Sequence, residues 1–136
     1  MTVAEKLVAL LKAQGLTCAT AESCTGGIIS YANEVKRDVL GVAAQALDEY
    51  GAVSPQVAAQ MAEGARRLLK TDLAVSLTGI AGPDGGSDEK PVGLVWFGLA
   101  TKDGVRTEKA IFRGDRAKVR EQAITHALGM LTIGAA

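Results

Sequence analysis

The 136-residue sequence predicts an α/β fold, a three-layer α/β/α sandwich on a mixed sheet, from three observations. Segments with apolar residues at helical spacing alternate with short apolar runs that read as strands, the pattern of helices packed on both faces of a sheet. "VGLVWFGLAT" and "VRTEKAIFRG" flank a "KDG" turn and read as an antiparallel hairpin, so the sheet is mixed. Aromatic residues make up only 4% of the chain while alanine and glycine abound, which suits tight helix-on-sheet layers better than a stacking surface for bases.

The elements follow in order. Val3, Leu7, Leu10 and Leu11 recur at helical spacing, and Gly15 stands where a left-handed cap belongs. "LTCATA" (16–21) reads as a short buried strand and "IISYA" (28–32) as a second. "NEVKRDVL" is helical, with Asn33 as N-cap and Gly41 closing it. "SPQVAAQMAEGARRLLKTD" opens with Ser54 as N-cap and Pro55 at the first helical position, and Val57, Met61, Ala65 and Leu68 make its buried stripe. "LAVSLTGIAG" is a strand running into a glycine loop. After the hairpin, Asp115 caps a last helix reaching about residue 132, with Val119, Ala123, Ala127 and Leu131 inward. The length is that of one domain spanning residues 1–136, with no internal repeat or linker.

Charge excludes more than it proposes. Fifteen Lys and Arg balance fifteen Asp and Glu, so bulk charge favours no polyanion and nucleic acid is not expected as a partner. No apolar run is long enough to span a bilayer, and "MTVAEKLVAL" reads as an amphipathic helix without a cleavage site. Cys18 and Cys24 fit neither a zinc spacing nor a disulfide framework, which points to reduced thiols in a cytoplasmic protein.

Two stretches break the regular pattern, and both follow predicted strands, where α/β sheets place their ligands. "AESCTGG" (21–27) sets Ser23, Cys24 and Thr25 ahead of a glycine pair. "TGIAGPDGGSDEKPVG" (78–93) is long for a compact domain, and Gly79, Gly82, Gly85 and Gly86 would let backbone N–H groups crowd an anion. By spacing alone those glycines serve turns equally well. Known phosphate loops and serine-hydrolase elbows are absent. The single histidine, His126, lies beside the apolar stripe of the last helix and reads as a packing residue, so a Ser-His-Asp triad is not expected. A serine nucleophile would need another base, and a buried lysine can supply one. Lys36 of "SYANEVK" is the candidate, although taken alone it reads as a solvated helix residue.

"AESCTGG", "SYANEVK", "GAVS", "TGIAGPDGGSDEKPVGLVWFGLAT" and "FRGDR" occur in that order, and together they resemble the CinA C-terminal domain family. The resemblance runs from the first helix to the last. Characterised members are nicotinamide mononucleotide amidases, so it implies a cytoplasmic serine amidohydrolase without metal or cofactor, a homodimer or higher oligomer, acting on a pyridine nucleotide. The family's serine falls on Ser23, its lysine on Lys36, and its tyrosine and asparagine on Tyr31 and Asn33. Its glycine loop falls on 78–86, including Thr78, Gly79 and Gly82, and its late arginine on Arg116. The implied chemistry has Ser23 attack the carboxamide while Lys36 takes its proton and returns it to ammonia. Backbone N–H groups at Thr25, Gly26 and Gly27 or in the 78–82 loop would hold the oxyanion, and Arg116 the phosphate. Cys24 is the alternative nucleophile. The other function class is a non-catalytic nucleotide-binding or protein-interaction domain, because the family also occurs fused to a domain linked to competence.

The chain departs from that family at one place. Members carry roughly a helix and its connections between "SCTGG" and "SYANEVK", enough for a parallel crossover, whereas here the motifs nearly abut. Because both flanking motifs are intact, the expectation is a break in the coordinates near residues 24–29.

Overall fold

The computed structural model of the chain describes residues 1–22, 28–29 and 33–136. Among the described residues, ten elements run in the order α1 (Val3–Gln14), β1 (Cys18–Glu22), β2 (Ile28–Ile29), α2 (Asn33–Asp38), α3 (Ala44–Tyr50), α4 (Pro55–Leu69), β3 (Leu73–Gly79), β4 (Leu94–Thr101), β5 (Gly104–Ile111) and α5 (Arg116–Ala135). The helix ends obey local chemistry. Thr2 accepts from the Glu5 N–H, Ser54 from Val57 and Asp115 from Lys118, while Gly15 ends α1 at φ 68°.

The five strands lie in the order β2-β1-β3-β4-β5. β2 and β3 pair parallel with β1, whereas β4 runs antiparallel to both β3 and β5, so the sheet is mixed as expected. One face packs on α1 and α5 through Leu7, Leu73, Val75, Leu77, Phe97, Val119 and Leu131. The other face, with Ala19, Ala21 and Ala74, meets Leu40, Val42, Leu47, Val57 and Met61 from the α2–α4 side. The α/β fold with helices on both faces is therefore observed.

Three details differ from the sequence reading. Asn33 is the first helical residue of α2 and not the residue before it. Leu68 does not continue the buried stripe of α4: it is 48% exposed, beside Leu69 at 50%, while Ala58 and Ala62 are fully buried. Helical spacing aims Leu68 correctly, but the last turn of α4 has too little opposite it to cover the side chain. The helix α3 carries no side-chain cap and spans seven residues, so no start signal announces it.

His126 packs as anticipated. Its ring stacks on Phe97 at 4.3 Å between centroids, and its Nε2 lies 2.6 Å from Glu108 Oε1. Burial pushes the Glu108 carboxyl up, but its hydrogen bonds to His126 and Arg106 outweigh that and hold it below the usual glutamate value.

Gly64 locks α4 to the chain leaving α2. A Cβ there would fall 1.7 Å from the Leu40 carbonyl oxygen, so backbone meets backbone where a side chain would stand. Gly64→Ala should cost about 1–3 kcal/mol, the usual penalty of overpacking. A denaturant midpoint unchanged from the parent would show that the contact yields freely.

Candidate active site

The register brings the strand ends together. Glu22 at the end of β1 pairs with Ile29 of β2 on one side and with Leu77 of β3 on the other. The carboxyl ends of three parallel strands thus share one edge of the sheet, and the chain continues from them to Ser23, to "SYANEVK" and to Thr78. Ser23, Cys24, Thr25, Gly26, Gly27 and Tyr31 lie outside the described residues, as does the side chain of Asn33.

Lys36, one turn into α2, is 2% exposed, among the largest fully enclosed side chains of the protein. Its backbone carbonyl accepts from the Val42 N–H at 2.9 Å, so α2 turns directly into the Leu40–Val42 segment that packs on α4. Burial disfavours the ammonium and pushes the Lys36 pKa down, which is the direction a proton acceptor requires. The solvated-helix reading of this residue is thereby excluded.

The glycine loop is anchored at its foot. Ile80 N–H donates to the Leu94 carbonyl at 2.9 Å and Gly93 N–H to the Ile80 carbonyl at 2.7 Å. Thr78 is 1% exposed and its hydroxyl donates to the Ala52 carbonyl at 2.8 Å, tying β3 to the "GAVS" segment. Gly79 ends β3 against Val95 and the Leu94 carbonyl, where a Cβ would come within 2.7 Å. Gly82 takes a left-handed φ of 86°, which aims the following chain outward.

Arg116 opens α5, and its Nη1 donates to the Gly82 carbonyl at 3.2 Å. Two segments 34 residues apart, paired only through the resemblance, are thus in contact. One of the guanidinium's five N–H donors is committed in that bond, and the planar fork suits a phosphate. The structure therefore brings together Thr78, Gly79, Gly82 and Arg116, with the ends of β1 and β2 at the same edge.

Sequence reasoning passed over Glu22. It is fully buried and lines a cavity of about 130 Å³ with Thr20, Val75, Leu77, Ile124, Ala127 and Leu128, on the α5 side of that edge. The available signal was a carboxylate closing the otherwise small and apolar run "CATAE". Lys90, within the glycine-loop string, was likewise given no role.

Comparison with known proteins follows the same layout. The CinA C-terminal domain profile matches residues 1–30 and 26–133. The two matched stretches overlap at 26–30, so the glycine pair and the start of β2 fit both sides of a junction. The nicotinamide-nucleotide amidohydrolase PncC of Escherichia coli (strain K12) is 44% identical over 151 aligned residues, taking in 96% of this chain and 92% of that protein. That alignment is longer than the 136 residues of the chain, so the relative has residues without counterparts here. A competence-damage inducible protein of Caldanaerobacter subterraneus is 44% identical over 93% of this chain, which spans only 35% of that relative's length. The crystal structure of the competence/damage inducible protein CihA from Agrobacterium tumefaciens superposes with a TM-score of 0.93 at 38% identity, covering 98% of this chain and 93% of that one.

The expected chain break near residues 24–29 falls largely on residues outside the described ones. Residues 23–27 separate β1 from β2 in the sequence, fewer than the dozen or more of a full parallel crossover. With the profile match extending over nearly all 136 residues, the chain belongs to the CinA C-terminal domain family.

Proposed function

We propose that the chain is a single-domain nicotinamide-nucleotide amidase, hydrolysing nicotinamide mononucleotide to nicotinate mononucleotide and ammonia. The observation that carries this reading is Lys36, an enclosed lysine whose pKa burial pushes down, in the helix that follows the strand beside β1. The PncC relatives are named for this activity and align over most of their length. In the proposed mechanism Ser23 attacks the carboxamide carbon as neutral Lys36 accepts its proton. The lysine then returns the proton to departing ammonia, and water repeats the sequence on the acyl-enzyme. Tyr31 assists that proton traffic. Backbone N–H groups at Thr25, Gly26 and Gly27 hold the oxyanion, a contribution of about 3 kcal/mol per donor. Asn33, Thr78, Gly79, Gly82 and Arg116 seat the nucleotide, with Arg116 on its phosphate. The reading carries with it a cytoplasmic homodimer or higher homo-oligomer, as the resemblance implies.

The test is release of ammonia from nicotinamide mononucleotide by purified protein, with nicotinate mononucleotide formed in equal amount. Nucleotide binding without ammonia would support a second reading, a non-catalytic binding domain. One observation favours that alternative: only residues 23–27 separate β1 from β2, too few for the crossover that the resemblance implies after Ser23.

Arg116→Ala should raise KM about tenfold, the equivalent of about 1.4 kcal/mol, because a phosphate contact holds ground and transition states alike. The effect should be smaller for nicotinamide riboside, which has no phosphate. An equal loss for both substrates would place Arg116 elsewhere in the mechanism.

A further inference from the structure

We propose that Lys90 is a positioning residue, a latch that fixes the outer half of the glycine loop by docking its ammonium on the carboxyl end of α3. The substrate consequence rests on the amidase reading above; the latch itself rests on geometry. Lys90 Nζ donates to the Tyr50 carbonyl at 2.7 Å, across 40 residues of chain. The last carbonyls of a helix have no partner within it, and α3 has no basic residue of its own in its last turn. Lys90 supplies that cation from outside.

The surroundings are shaped for it. Gly51 caps α3 at φ 78°, and a Cβ there would lie 2.9 Å from Lys90 Nζ, so the absence of a side chain leaves the space the ammonium occupies. A turn aims the lysine: Ser87 N–H donates to the Lys90 carbonyl at 2.9 Å, and Lys90 N–H donates to Ser87 Oγ at 3.1 Å. The same corner receives the Thr78 hydroxyl at Ala52, two residues beyond Tyr50. The loop is therefore held at its foot by the sheet, on one side by Arg116 at Gly82, and on the other by Lys90 at Tyr50. Two of these three ties are made by single side chains. Releasing Lys90 removes the tie on the Tyr50 side and leaves the residues after Gly82 less fixed beside the Gly82–Arg116 contact.

Lys90→Met keeps most of the stem and removes the ammonium, and Lys90→Gln serves as a second variant should the first fail to fold. Amide hydrogen exchange of the ligand-free protein should quicken in residues 83–92 while α1, β3 and α5 keep their protection. With nicotinamide mononucleotide, KM should rise about tenfold with kcat within about threefold, the signature of lost uniform binding. Unchanged exchange overturns the latch. Faster exchange with unchanged KM overturns the positioning role, and a fall in kcat alone would assign Lys90 to the chemistry instead. A parent protein that releases no ammonia refutes the amidase reading, and the latch is then decided by the exchange measurement.

Discussion

Ser23→Ala should reduce ammonia release below detection while leaving the affinity for nicotinamide mononucleotide within a few-fold. The hydroxyl's main work is bond formation in the transition state, so its loss should lower kcat and spare binding. Cys24→Ala is the matched control and should keep turnover. The two variants separate the candidate nucleophiles by which one loses turnover. Retained turnover in the serine variant with loss in the cysteine variant would move the nucleophile to Cys24. Turnover unaffected by either change would remove residues 23–24 from the mechanism altogether.

Lys36→Met should lower kcat by about 10²–10⁴-fold, the range for a general base. Enclosure makes the folded protein bind a proton at Lys36 less readily than the unfolded chain does. Below its lowered folded pKa this difference is a net cost to the folded protein. That cost is relieved as pH rises from the folded value toward the ordinary lysine value of 10.5, because the unfolded chain then holds the extra proton. The parent should gain stability across that window and the Met variant should lack that gain. Activity should rise with pH through the lowered folded value. Lys36→Arg should not restore turnover, since a guanidinium stays protonated. Full activity in the Met variant would end the serine–lysine assignment, whatever its melting temperature.

Most of the fold was legible because its signals are local. Gly15, Ser54 with Pro55, and Asp115 each mark a helix end through bonds within a few residues, and each stands where it was read. The KDG turn predicted the β4–β5 hairpin for the same reason. α3 escaped notice because Ala43 precedes it without a side-chain bond and seven residues give little periodicity to detect. Leu68 was misjudged because spacing reports direction along a helix and not what lies opposite it.

The candidate site divides along the same line. The order of "AESCTGG", "SYANEVK", "TGIAGPDGG" and "GDR" was sufficient to place the chain among its relatives, and the strand-then-loop pattern indicated which edge of the sheet to inspect. That much the sequence determined by itself, since chemical identity and short-range order are written in it directly. Tertiary structure decided that Lys36 is enclosed and not solvated, that Arg116 reaches Gly82, and that Lys90 spans to Tyr50. Enclosure is a property of what surrounds Lys36 in the folded chain, and the other two contacts join residues 34 and 40 positions apart. Such proximities arise only when parallel register aligns the ends of β1, β2 and β3 and both faces of the sheet are covered, because a side chain's solvent and partners are properties of the assembled layers and not of its neighbours in sequence.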